Sequence, residues 1–381
     1  MKKALTILLA MALLCSMAAC GGSSAASTPA ASSGGSASAP ASGSGSSSDT
    51  GSGTAATADV EPLTIKFSST FQETETGGII QKYFIDKVGE LSGGAVTVDM
   101  AWGGTLFDSM GELDAVIDGV VDMIALGHMP HVDTVPYLSY PGFAPGSTQK
   151  ALDYFDEIMF KNPETSALIQ GEAESLGIKY LNVLAGGANA FCTKYAFTDL
   201  DSMVAGSTSF GNFDAAIFEY LGFQVTSIAP PDVYQGLDRG MINSTQMALA
   251  PMVAMAWYEV APYWALDGTY TGGNFFTVNL DWWNGLSDAQ RSVIEQAAAA
   301  TEDYSATIYD DSIAADIETI ETATGNKLVQ LSDDDIARIW EATFIAKASD
   351  AMARAEKHGK TDGMRTILEL AAQLTDYDWQ G

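Results

Sequence analysis

ELDAVIDGVVDMIAL, residues 112–126, and DVYQGLDRGMINSTQM, residues 232–247, are one pattern written twice, 120 residues apart. Each opens with apolar residues three and four positions apart, reaches a Gly that ends the helix, and continues as a short apolar run of strand length. Upstream of the first copy, LTIKFSST (63–70) alternates apolar and polar residues as a strand does. GGIIQKYFIDKVGELSGG (77–94) has helical spacing at Ile79, Ile80, Phe84 and Val88 and closes at Gly93 and Gly94. AVTVDMA (95–101) is a second strand, and the first copy then adds a helix and a third. This βαβαβ alternation predicts a parallel sheet with helices on its faces. A long helix over about 150–176 and a strand IKYLNVLA (178–185) follow.

The second copy has the same setting. MVAGSTSF (203–210) reads as a strand running into a loop, DAAIFEYLG (214–222) as a helix and FQVTSIA (223–229) as a strand. PDVYQGLDRG (231–240) is a helix opened by Pro231, and MINSTQMA (241–248) a closing strand. The repeated pattern is therefore the second helix and third strand of each of two α/β lobes. GTYTGGNFFTVNLDWWNGL (268–286) is a long strand returning toward the first lobe. From Leu286 onward the chain reads as helical, with SDAQ (287–290) and SDDDIA (332–337) as N-capping starts. The expected lobes are 59–188 and 189–270, with 271–381 as a return strand and C-terminal helices packing on both. In open α/β sheets ligands sit at the carboxyl ends of the strands, here facing each other across a cleft. A two-lobed body of this kind closes around its ligand.

The ends add a location. MKKALTILLAMALLCSMAAC has two lysines, an apolar run too short for a stable span, and small residues before Cys20. This predicts a signal peptide over 1–19. The MAAC ending resembles the lipobox of bacterial lipoproteins, which implies lipidation of Cys20 and an extracytoplasmic body anchored to the cell membrane. Residues 20–58 continue as an almost pure Ser, Gly, Ala, Thr and Pro segment, a flexible tether reaching roughly 35 Å on average.

Formal net charge is −30, or −32 once Lys2 and Lys3 leave with the signal. So acidic a chain argues against nucleic acid and anionic lipid headgroups as partners. With Cys15 in the signal and Cys20 as the anchor, Cys192 is left alone, so the body holds no internal disulfide. HMPHVD offers His128, His131 and Asp133, but Pro130 interrupts any helix and no third ligand can be assigned from elsewhere. No nucleophile elbow or phosphate-cradling loop appears. The sequence calls for no metal, no cofactor and no catalytic residue.

The body also resembles the DctP-like solute-binding proteins of tripartite ATP-independent periplasmic (TRAP) transporters. VIDGVVDMIAL (116–126) is similar to the family's helix-Gly-Val-Val-Asp strand, and DVYQGLDRGMINS (232–244) keeps Val233, Tyr234, Leu237 and Gly240 of its second-lobe motif. YEVAPYWALDGTY (258–270) and DWWNGLSDAQRSVIEQAA (281–298) echo the next block in the same order. The resemblance implies a periplasmic-binding-protein type II-like fold: two lobes, mixed sheets flanked by helices, a ligand cleft between the lobes and a helical C-terminal region. It implies a receptor that captures a small molecule and delivers it to the membrane subunits of a TRAP permease.

The family holds a substrate carboxylate with an Arg at the end of the strand opening the second lobe, a role that suits the planar, bidentate guanidinium. Here that position falls on Gly206 or Ser207, a second Arg seen in some relatives falls near Ala188, and no Arg precedes Arg239. The ligand is therefore expected not to be a carboxylate held in this way, unless Lys194 or a helix N-terminus supplies the positive end. The expected lining is Thr70, Phe71, His128, Met129, Ser207, Thr208, Phe210, Asn212 and Gln246, which suits a neutral or partly apolar solute, or a cation over a ring. Trp102 and Phe213 are expected to pack within their own lobes. A secreted lipoprotein enzyme acting on a small molecule in the same cleft is the second reading; it would consume its ligand.

Overall fold

The computed structural model describes residues 60–127, 129–212 and 214–381. The signal peptide, Cys20, the tether, His128 and Phe213 lie outside the described residues. The strands are β1 (Leu63–Ser68), β2 (Val96–Ala101), β3 (Met123–Leu126), β4 (Phe143–Pro145), β5 (Ile178–Thr193), β6 (Phe210–Gly211), β7 (Val225–Thr226), β8 (Ser244–Ala248) and β9 (Tyr263–Asn279). The α-helices are α1 (Thr76–Leu91), α2 (Glu112–Ile117), α3 (Thr148–Asp156), α4 (Pro163–Ser175), α5 (Leu200–Gly206), α6 (Ala215–Tyr220), α7 (Pro230–Asp238), α8 (Leu249–Ala254), α9 (Leu280–Gly285), α10 (Asp288–Thr324), α11 (Asp333–Lys357) and α12 (Thr361–Leu374).

The twin pattern is built as twins. After α2, Gly119 has φ +67° and after α7, Gly240 has φ +73°. In both, the Gly N–H donates to the third carbonyl back and the next N–H to the fifth: Gly119 to Val116 and Val120 to Ala115, Gly240 to Leu237 and Met241 to Gly236. This is the left-handed helix ending that glycine adopts without a Cβ penalty. It turns the chain into β3 and β8 respectively.

Strands β1 to β9 join one sheet in the order β2-β1-β3-β9-β5-β8-β6-β7, with β4 on β9. β1 pairs in parallel with β2 and β3, and β6 in parallel with β7 and β8. Each third strand then meets a long antiparallel strand, β3 with β9 and β8 with β5. The sheets are thus mixed, and the two halves mirror each other about the β5–β9 pair, which runs from Ile178↔Asn279 to Thr193↔Tyr263 with four register shifts. At the shifts the backbones nearly touch. A Cβ on Gly186 would lie 2.3 Å from the Thr271 carbonyl oxygen, and one on Gly273 2.2 Å from that of Ala185. Both expected lobe boundaries, at 188/189 and 270/271, fall inside these continuous strands.

Each half has an apolar core on both sheet faces, and two long helices tie the halves together. α10, 37 residues and so about 55 Å long, packs Val293, Ile294, Ala297 and Ala298 on the first half and Ile313, Ile317 and Ile320 on the second. α11 on the opposite face packs Ile339 and Ala342 on the second half and Trp340, Phe344, Ala348, Ala351 and Ala355 on the first. Both start with the expected Ser, whose hydroxyl accepts from the third N–H: Ser287 from Gln290 and Ser332 from Asp335.

Three local readings need correction. The strand expected over 268–286 ends at Asn279, whose side chain caps the helix α9. The first half of MVAGSTSF is helix: Asp199 and Ser202 form a capping box that starts α5, and the strand is reduced to Phe210–Gly211. The long helix over 150–176 is broken, because Pro163 has no N–H to donate and Asn162 caps a new helix there. A single π-helical turn, Glu157–Lys161, precedes the break.

Candidate functional site

A cavity of about 260 Å³ lies where the two halves meet on the α11 face of the sheet. Its floor is the central strands: Asn189 of β5, Gln246 and Met247 of β8, Asp267, Thr269 and Thr271 of β9. One wall is Asn212, Asp214, Ile217 and Phe218 of the second half, the other Met129 and Phe143 of the first, and Ile339, Thr343 and Lys347 of α11 close it. The last three are four residues apart, one stripe of one helix.

The polar floor is one hydrogen-bonded chain. Asp267, 1% exposed, accepts at Oδ1 from the Thr269 backbone N–H at 2.7 Å and hydroxyl at 2.8 Å, and at Oδ2 from Gln246 Nε2 at 2.6 Å. Asn189 Nδ2 donates to the Thr269 hydroxyl at 3.0 Å. Asn212 Nδ2 donates to the Gln246 carbonyl at 2.7 Å and its Oδ1 accepts from the Asp214 N–H at 2.7 Å. Burial pushes Asp267 up to about 6, against the pull of Gln246 and Thr269. Lys347, 17% exposed, is paired with Asp214, and its Nζ stands 5.7 Å from the Phe143 ring centroid. Among the described residues Lys347 is the one cation lining the cavity.

Of the residues expected at the ligand, Met129, Asn212 and Gln246 line this cavity. Phe210 is fully buried in a ring cluster with Phe191, Phe218 and Phe223, so it backs the wall. Ser207 Oγ shares a 2.7 Å hydrogen bond with Ser244 Oγ, and the Thr208 N–H donates to Asn243 Oδ1 at 3.1 Å, both at the far end of β6. Thr70 and Phe71 lie at the carboxyl end of β1. Burial pushes the Glu112 carboxyl up to about 8, against the pull of the Thr70 N–H, and the Phe71 ring lies against Gly77 of α1. Trp102 is half-buried at the end of β2.

Because the strand opening the second half is Phe210–Gly211, the residue at its carboxyl end is Asn212, not Gly206 or Ser207. Gly206 ends α5 against the Tyr195 ring. Lys194 caps α7, its Nζ donating to the carbonyls of Leu237 and Asp238, and it is not among the residues that line the cavity. His131 Nε2 donates to the Ser109 carbonyl at 2.7 Å and Asp133 pairs with Arg354, so both already have partners. Asn189, Asp267 and Lys347 were missed. Asp267 had a signal, a charged residue inside a strand-like run before Gly268; Lys347 had only its helical spacing from Thr343 and Ile339.

The family of bacterial extracellular solute-binding proteins, family 7 (DctP), matches residues 67–348. The ectoine/5-hydroxyectoine-binding periplasmic protein UehA of Ruegeria pomeroyi is 25% identical over 333 residues, covering 81% of this chain and 92% of UehA. The C4-dicarboxylate-binding periplasmic protein DctP of Rhodobacter capsulatus is 26% identical over 305 residues, covering 77% and 87%. By structure, a TRAP periplasmic solute binding protein from Ochrobactrum anthropi superposes with a TM-score of 0.67 at 22% identity, covering 81% of this chain and 95% of that one.

Proposed function

The chain belongs to the bacterial extracellular solute-binding proteins of family 7, and from that membership we propose that it is the receptor of a TRAP-type permease. It captures a small molecule in the cavity between residues 59–188 and 189–270, closes, and presents the closed form to the membrane subunits. Residues 271–381 supply the return strand and the α11 wall. In this reading 1–19 is a signal peptide, Cys20 carries lipid, and 20–58 is the tether. Among the described residues no helix is long and apolar enough to cross a membrane; in this reading the anchor is the lipid on Cys20.

The observation that carries the reading is the cavity itself, an interlobe chamber whose polar floor draws on β5, β8 and β9. Rings and methyls from both halves close over amides and hydroxyls, the composition of a small-molecule site. Met129, Asn212, Gln246 and Asn189 touch the solute, while Thr70 and Phe71 form the rim of the first half. The relatives bind ectoine/5-hydroxyectoine and C4-dicarboxylates by name, so the family alone does not set the ligand's charge. No Arg among the described residues lines the cavity, which supports a ligand other than a carboxylate clamped by guanidinium.

The test is a thermal-shift screen of the full chain against organic acids in one set and amines, nucleosides and sugars in another, followed by small-angle scattering with any hit. A ligand at a hundred times its dissociation constant stabilises by about 2.7 kcal/mol. A hit that also shrinks the radius of gyration supports the receptor. Turnover of the hit would make the protein an enzyme instead.

A further inference from the structure

The charges around the cavity do not cancel evenly. Asp214 and Lys347 neutralise each other across the wall. Among the described residues Asp267 has no cation beside it: its partners there are a backbone N–H, a hydroxyl and a side-chain amide, all neutral. A buried carboxylate without a counter-charge is costly, and proteins rarely retain one unless something pairs with it. Oδ1 accepts two hydrogen bonds and Oδ2 one, so a carboxylate with about four acceptor positions keeps one open on Oδ2. That oxygen belongs to a residue lining the cavity.

We propose that Asp267 is the specificity residue of the receptor, and that the solute carries a protonated nitrogen (an ammonium, amidinium or guanidinium) whose N–H docks on Asp267 Oδ2. The inference rests on the receptor reading above and adds the ligand's charge to it. Gln246 and Thr269 hold the carboxylate in place, so the cation meets a preorganised acceptor and not a mobile side chain. The Asp214–Lys347 pair keeps the opposite wall neutral, and Ile217, Phe218, Met247 and Ile339 take the apolar part of the solute. An anion would face Asp267 unscreened in the same chamber and is rejected by like charge.

The test is calorimetric titration of the full chain with alkylamines, amidines and guanidines, with their neutral hydroxyl or amide isosteres, and with carboxylates, repeated on Asp267→Asn. Expected is a cationic best binder that loses about 30-fold or more in affinity in Asp267→Asn, while its neutral isostere changes far less. A carboxylate or neutral best binder, or a cation indifferent to the substitution, overturns the proposal and leaves the receptor standing. Silence from every set overturns it as well, while the receptor reading is decided by the wider thermal-shift screen. Should Asp267→Asn fail to fold, the ¹³C shift of the Asp267 carboxyl in the wild-type chain decides: it moves on saturation with the amine, or the proposal is wrong.

Discussion

Gln246 on β8 and Asp267 on β9 sit on strands that never pair with each other, yet Gln246 Nε2 reaches Asp267 Oδ2 at 2.6 Å. Both strands pair instead with β5, which lies between them in the sheet. The contact therefore bridges over β5 at the place where the β5–β9 register slips. It ties the closing strand of the second half to the strand that returns to the first.

Removing the amide should expose how much Asp267 depends on it. Gln246→Met leaves the buried carboxylate one donor short, a loss of about 1.5–3 kcal/mol for a hydrogen bond to a charged group. Gln246 is one of the groups that pull the Asp267 pKa down, so its loss raises that pKa further. The cost is then largest when Asp267 is ionised, near pH 8, and smaller near pH 5, where the carboxyl is neutral. Urea melts of both proteins at the two pH values check this; an equal loss at both would mean Asp267 is not the group being served.

The pH profile of the whole fold follows from its buried carboxyls, Glu112, Glu172, Asp267, Glu302 and Asp316, all raised by burial. Burial pushes Glu112 and Glu302 up to about 8 and Asp267 to about 6. In the unfolded chain these groups lose their protons near 4, so between the two values the folded state binds more protons. Stability must then fall as pH rises from about 5 to about 9. Below about pH 4 the order reverses, because Asp133, Asp199 and Glu321 are held below their ordinary values and lose their bonds on protonation. Guanidinium melts across this range should peak on the acid side of neutrality, and Glu112→Gln should flatten the alkaline arm.

The two helix-ending glycines offer a matched pair. A Cβ on Gly240 meets nothing within 4 Å, and one on Gly119 comes no closer than 3.6 Å to Asn279. Any cost of Gly→Ala at either place is thus conformational. Holding Ala at φ +67° or +73° costs about 1–2 kcal/mol, and the two single variants should lose similar amounts in chemical denaturation. A large difference between them would show that the twin geometry hides unequal strain.

These glycines also mark how far the sequence could be read. Local rules dominate at α2–Gly119–β3 and α7–Gly240–β8, since periodicity and a left-handed cap are written in neighbouring residues. Phe210–Gly211 was harder. A two-residue strand has no alternation to detect, and the Asp199–Ser202 capping box pulled the preceding stretch into a helix. The long strands were legible only in part, because β5 is buried almost throughout and β9 is evenly half-buried over 270–274, so neither shows an alternation to mark where one half ends. The cavity was least visible. Its floor needs Asp267 and Gln246 on strands 21 residues apart to meet over a third, and its α11 wall depends on tertiary packing beyond any local pattern.

The pair across that wall gives the last prediction. Asp214, just before α6, and Lys347, on α11, are 26% and 17% exposed, so the pair is neither free in solvent nor sealed. An exposed pair contributes less than about 1 kcal/mol, and a buried one that loses one partner costs several. This one should fall between. A double-mutant cycle of Asp214→Asn and Lys347→Met is expected to give a coupling of about 1–2 kcal/mol. Because the pair joins the second half to a helix that also packs on the first, Lys347→Met should leave the melting cooperative but lower its midpoint. Zero coupling would mean that Lys347 is held by Phe143 and its helix neighbours alone.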